Sequence, residues 1–186
     1  MISCILEPMK NNMSTLKYLL LTLRHKYFVF KYGLRLKVPI VSLVVHDYTK
    51  LYPQNLISYG RQFFGDQGDP VGFAYTWNHH QKRHRHHWEY WIMVTGHNRG
   101  GFGDGHILDM PDKYIREMAA DWLAASRVYS NEEVKFLHEW TWLHQNFSKM
   151  RLSDYTRTRV LDLLNFYFEE HYENFNSGEK KSKQQP

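Results

Sequence analysis

Apolar side chains return at helical spacing through residues 15–32, "TLKYLLLTLRHKYFVFKY", where Leu16, Leu19, Leu20, Leu23 and Tyr27 form a stripe. The pattern predicts a helix capped by Ser14 and stopped at Gly33, with His25 close to the stripe in its later part. A second apolar run, "VPIVSLVVHDYTKLYP", ends in an ionisable pair. Its β-branched residues leave a strand open, but its length and helical neighbours favour a buried helix. Pro53 suits the first position of a helix over "PQNLISYGRQFFG", which closes on Gly65. After the loop "GDQGDP", Pro70 opens another helix that runs into "NHHQKRHRHHWEYW".

The glycine-rich "TGHNRGGFGDGHILDMP" has no apolar period and reads as a surface loop, long enough to be functional. Asp109 suits a cap with Pro111 inside the first turn of the next helix, where Tyr114, Met118, Trp122 and Ala125 repeat along one side. Asn131 and Ser153 are candidate caps for helices over "EEVKFLHEWTWLHQNF" and "DYTRTRVLDLLNFYFEEHYENF". Six or seven helices, with little strand signal and no internal repeat, predict an all-α protein, a single globular helical bundle. Residues 1–13 read as an irregular leader, 14–175 as the helical domain and 176–186 as a disordered basic tail.

Composition narrows the function classes. With 186 residues the chain can bury a real core, and its 16% aromatic content favours a packed interior. A formal charge of +5 permits an anionic partner but falls short of the concentrated stripe of a dedicated nucleic-acid binder. The single cysteine, Cys4, supplies neither a disulfide nor a thiolate cage, so any metal is held by nitrogen and oxygen, and a reducing, cytoplasmic setting is expected. The longest apolar runs are too short to span a membrane, and Glu7 and Pro8 interrupt the start of what would be a signal peptide.

The chemistry concentrates at two places. Burying His46 beside Asp47 is costly unless each is paired or bound to metal, so the pair is either a hydrogen-bonded couple at a helix end or part of a metal site. In the histidine tract, helical phase puts His80 and His84 on one face and turns His79 about 100° away, so not all five imidazoles reach one centre. His80 with His86 or His87 is a candidate second metal position, since imidazole suits Zn, Fe, Ni or Cu. The same tract reads otherwise as a solvated face or, less favourably, as a nucleic-acid contact. Trp88 and Trp91 read first as core residues and second, with Tyr90, as base-stacking platforms. Glu117, one turn before Asp121, is either an outer acceptor for a metal ligand or, slightly favoured, a surface partner of Lys113.

The order His25, His46-Asp47, Asp121 resembles the HD-domain superfamily of metal-dependent phosphohydrolases, and "HDYTK" matches its HDxxK form. That resemblance implies an all-helical HD-like fold in which His25, His46, Asp47 and Asp121 hold a divalent metal while Lys50, with Asp47, serves the chemistry and faces the substrate. It implies a hydrolase of a nucleotide or other small phosphate ester, acting through a metal-activated water. Arg83, Arg85 and His79 are candidate substrate contacts. The metal expected is Mn, Fe, Co, Ni or Zn, with two ions where the second histidine set joins. The alternatives are an HD-fold diiron oxygenase and a non-catalytic nucleotide or nucleic-acid binder with a structural metal. Over residues 15–160 the strings "HDYTKLYPQNLISYGRQFFG", "HHQKRHRHHWEYW" and "DMPDKYIREMAADWLAASRVYS" also resemble a bacterial and viral family known only as a domain of unknown function. Within that family His79, His80, His86 and His87 are the recurring positions and His84 is not.

Overall fold

Among the described residues seven helices, α1 (Ile2–Arg35), α2 (Ile40–Val45), α3 (Pro53–Phe64), α4 (Pro70–Arg83), α5 (Asp112–Tyr129), α6 (Thr141–Asn146) and α7 (Asp154–Ser182), carry the chain. The computed structural model describes residues 2–93, 105–131 and 133–182. Among them there is no strand beyond an isolated bridge between Ile92 and Ile107, so the all-α bundle expected from the periodicity is what forms. No helix among the described residues is long and apolar enough to cross a membrane.

α5 lies at the centre, with α1 and α7 packed against it. Ile115, Ala119, Ala120 and Ala124 are completely buried, and the three alanines let the neighbouring backbones approach closely. Val29 and Tyr32 of α1 and Val160 and Leu164 of α7 close the core around it. A completely buried Leu164 contributes about 1.5–3 kcal/mol. α3 lies on α1, and Gly60 makes that approach possible: a Cβ there would meet the Thr15 backbone at 2.8 Å. At the start of α4, the Asp69 carboxylate accepts from the Gly72 amide at 2.8 Å, with Pro70 in the first turn.

Several local expectations are corrected. α1 begins at Ile2 rather than after an irregular leader, because leucine, methionine, lysine and glutamate in that stretch favour helix. It also runs past Gly33, which serves packing instead: Leu43 of α2 fills the space a Cβ would take. The stripe of Leu16, Leu20, Leu23 and Tyr27 points outward, and the inner face of α1 is Tyr18, Thr22, His25, Val29 and Tyr32. In α2 Leu43 is buried while Ile40, Val41, Val44 and Val45 are exposed, since six residues make fewer than two turns and seat one side chain on α1. The helix expected over "EEVKFLHEWTWLHQNF" shrinks to a 3₁₀ turn at Leu137–Glu139 and to α6, anchored by the buried Trp140, whose indole donates to Ser126 at 2.7 Å. α5 starts at Asp112 rather than after Asp109. Ser153 does cap α7, accepting from the Thr156 amide at 3.2 Å. α7 continues to Ser182, through glutamate and lysine with good helix propensity, where a disordered tail was expected from 176. Residues 94–104 of the expected glycine-rich loop lie outside the described residues.

Candidate metal centre

His46 and Asp47 are neighbours in sequence, and on a continuous helix their side chains would point about 100° apart. The backbone prevents that. α2 ends at His46, which is extended, and Asp47 takes the left-handed conformation (φ 54°, ψ 24°) before a 3₁₀ turn at Tyr48–Leu51. A non-glycine residue held there stores strain, tolerated best by Asp and Asn. The result is that both side chains turn into one buried volume, each at most 1% exposed. α1 brings His25 there from its inner face, α5 brings Glu117 and Asp121 one turn apart, and α4 with the chain beyond it brings His80, His86 and His87.

Two sets of donor atoms meet at Asp47. In the first, His25, His46, Asp47 and Asp121 each offer an atom within 4.8 Å of the others. His46 Nε2 lies 3.5 Å from both Asp47 Oδ2 and Asp121 Oδ1, and His25 Nε2 lies 2.9 Å from Asp121 Oδ1. In the second, Asp47, His80, His86 and His87 do the same. His80 Nε2 and His86 Nε2 stand 3.3 and 3.2 Å from Asp47 Oδ1, and His87 Nε2 stands 2.9 Å from His80 Nε2. One carboxylate therefore faces one group with Oδ2 and the other with Oδ1.

Further residues fix the rings. Glu117 Oε1 receives His46 Nδ1 at 3.0 Å and His86 Nδ1 at 3.1 Å, which turns Nε2 of each ring toward the two groups. The Thr49 hydroxyl stands 2.9 Å from His80 Nδ1 and 2.8 Å from His84 Nε2, and Asn55 donates to the Thr49 carbonyl at 2.7 Å. Lys50 is buried, with Nζ 2.6 Å from Asp47 Oδ2.

Burial alone would raise the Asp47 carboxyl; His46, Lys50 and His80 outweigh it and hold the group well below the usual range. Asp121 is likewise held well below, against burial, by His25 and His46. Glu117 is brought down to about 2, its burial overcome by His46 and His86. Burial keeps His25, His80 and His87 neutral by lowering each of them. His86 goes the other way, up to about 10, because Asp47 and Glu117 overcome its burial.

The donor set could hold a metal ion. His25 Nε2, His46 Nε2, His86 Nε2 and both Asp47 oxygens are buried yet make no hydrogen bond of good geometry, though they converge. Buried polar atoms are almost always satisfied, and lone pairs gathered from imidazoles and carboxylates are what such an ion takes.

All four residues of the HD-type set, His25, His46, Asp47 and Asp121, come together, and so do His80, His86 and His87. His79 does not: it is exposed on α4. Arg83 and Arg85 are exposed too, bonded to the hydroxyls of Tyr48 and Tyr114 at 3.1 Å each. Trp88 and Trp91 pack against the core, as expected. Glu117, read as a surface partner of Lys113, is buried on the two imidazoles; its place one turn before Asp121 was the available signal. Thr49, inside "HDYTK", was missed, because a threonine hydroxyl in a sequence carries no mark of what it will touch.

No curated protein and no solved structure matches the chain. A family model described as "Family of unknown function (DUF5662)" matches residues 14–166, a span that contains every residue of both donor groups, and the chain belongs to that family.

Proposed function

We propose that the protein is an HD-like metal-dependent hydrolase of a nucleotide or another small phosphate ester, with residues 14–175 as its domain. The observation that carries the reading is Asp47, whose two oxygens each face a separate set of imidazoles. His25, His46, Asp47 and Asp121 would hold one ion, and Asp47, His80, His86 and His87 a second. Bound there, a divalent metal supplies a water of lowered pKa and neutralises charge on phosphoryl oxygens. The chain's own groups do the rest. Glu117 keeps His46 and His86 in the tautomer that presents Nε2. Asp121 and His87, 15% and 13% exposed, form the open edge where a substrate arrives, while His25, His46, Asp47 and His80 stay sealed from water. Lys50, paired with Oδ2 of the shared carboxylate, would be the cation that meets a phosphoryl oxygen as negative charge builds.

A diiron oxygenase is the second reading, favoured by the three imidazoles in one group, since nitrogen donors suit iron. Anaerobic purification followed by elemental analysis separates the two. Phosphate release from nucleotides or p-nitrophenyl phosphate with Mn or Co supports the hydrolase. Paired iron with oxygen uptake and no phosphate release replaces it with the oxygenase, and a metal-free chain that does neither overturns both.

A further inference from the structure

Helix α1 is apolar on two opposite faces. One enters the core and carries His25; the other, Leu16, Leu20, Leu23, Tyr27, Phe30 and Leu34, is open, each side chain between 38% and 64% exposed. These positions advance by four and three residues in alternation, and Met13, three before Leu16, begins the same series. That is a strict 3.5-residue period. A straight helix carries such a row around its axis by about 20° per heptad, the drift that left-handed supercoiling removes. The row has the spacing of a coiled-coil seam, as has the buried row Tyr18, Thr22, His25, Val29 and Tyr32 on the opposite face.

α2 widens the surface. Leu43 seats on Gly33, the Val44 carbonyl accepts from Lys26 at 3.2 Å, and Ile40, Val41 and Val44 are 62–74% exposed. If each of these side chains, Met13 included, leaves about half of roughly 150–200 Å² open, the two helices offer about 750–1,000 Å², comparable with the ~800 Å² per partner of a stable complex. A monomer rarely leaves that much contiguous apolar surface uncovered.

We propose that this face binds a second copy of the chain, with α1 against α1 across a two-fold axis. A two-fold interface requires a patch that complements itself, and a heptad seam does so, because one row of side chains supplies both knobs and holes. Charge gives the pair a distinguishing property. Lys17, Arg24 and Lys31 each follow a seam residue, and Glu7 is the one carboxylate in α1, so the rows bordering the seam are basic in both copies. Their repulsion is screened by salt, so the pair tightens as salt rises, whereas an anionic bilayer or an acidic partner helix would bind more weakly.

Sedimentation equilibrium on the full chain tests this. The wild type is expected to be a dimer at low micromolar concentration, and its Kd to fall as NaCl goes from about 50 to about 500 mM. Leu20→Glu with Leu23→Glu should weaken the dimer at least about 100-fold, since four charges would enter the seam. Helicity and metal content should not change, because neither side chain enters the core or the metal centre. The milder pair Leu20→Gln, Leu23→Gln should weaken it less and serves if the glutamates impair folding. A wild type that is monomeric at about 50 µM, ten or more times a typical weak-dimer Kd, overturns the proposal, whether or not it binds phosphatidylglycerol vesicles. A dimer indifferent to both double variants, or one that dissociates as salt rises, overturns it as well.

Discussion

His25, His46 and Asp121 reach Asp47 from three separate helical elements, whereas His80, His86 and His87 reach its other oxygen from one stretch of chain running off the end of α4. The first group exists only if α1, α2 and α5 pack in register, with His25 and Asp121 on helices fixed by the core and His46 at the extended residue that ends α2. The second has His80 on α4 but takes His86 and His87 from the local path after Arg83, where His84 closes α4 and the chain turns into the 3₁₀ segment Trp88–Trp91. Sites carried on regular helices are held more tightly than sites carried on turns. The first group is thus the more preorganised and the second the more adaptable, and Asp47 belongs to both.

The largest effect is therefore expected at the shared residue. Asp47→Asn keeps the size and the tolerance for left-handed backbone but removes the charge, so bound metal should fall nearly to zero in both groups. It also strips Lys50 of its buried counter-ion, and breaking such a pair costs about 3–5 kcal/mol. Elemental analysis after dialysis and a thermal melt read the two effects separately. Full metal content in this variant would break the idea of a shared carboxylate.

Next come the substitutions that part the groups. Asp121→Asn should empty the first and leave the second; His87→Ala should do the reverse, each halving a two-ion stoichiometry, with the double variant near zero and still helical. Additive losses would show two separate positions. A single substitution that removes all the metal would show one site with interdependent ligands. Glu117→Gln should have a smaller effect felt by both, because its Oε1 orients His46 and His86 together: affinity about 10–100-fold weaker, with stoichiometry kept at high metal. Titration with a competing chelator measures it.

The contrast between the groups also explains what could be read in advance. An ordered set of histidines and aspartates survives any uncertainty about helix ends, so His25, His46, Asp47 and Asp121 were legible before the packing was known. Helical phase separated His79 from His80 for the same reason: it is a local property. What was not legible is which face of a helix becomes the inside. In α1 the leucine stripe is the more apolar face, yet the buried face is built on Tyr18, Thr22, His25, Val29 and Tyr32, and α3 and α5 pack on this helix. The valines and isoleucine of α2 misled in the same direction. Glu117 was ambiguous because i, i+4 spacing serves Lys113 and Asp121 equally, and only the packing of α5 chooses between them.

The smallest effect in the centre is expected at His84, and it sharpens the comparison within the tract itself. His80 and His84 stand one turn apart on α4 and meet the same Thr49 hydroxyl, at 2.9 and 2.8 Å. A hydroxyl has one proton, so it donates to one ring and accepts from the other. His80 spends Nδ1 on that contact and keeps Nε2 for Asp47 Oδ1, whereas His84 spends Nε2 on it and belongs to neither donor group. A glutamine amide both donates and accepts, so His84→Gln can keep the bond to Thr49 while losing the ring contact with Tyr48. Stability should drop by about 1 kcal/mol, near the net value of one imperfect hydrogen bond, with metal content unchanged. His80→Gln alters the same hydroxyl contact but also removes an imidazole from Asp47, so it should lose the second ion. Equal metal loss in the two variants would mean that Thr49 positions His80 only while His84 is in place, and His84 would then join Glu117 among the residues that orient the ligands.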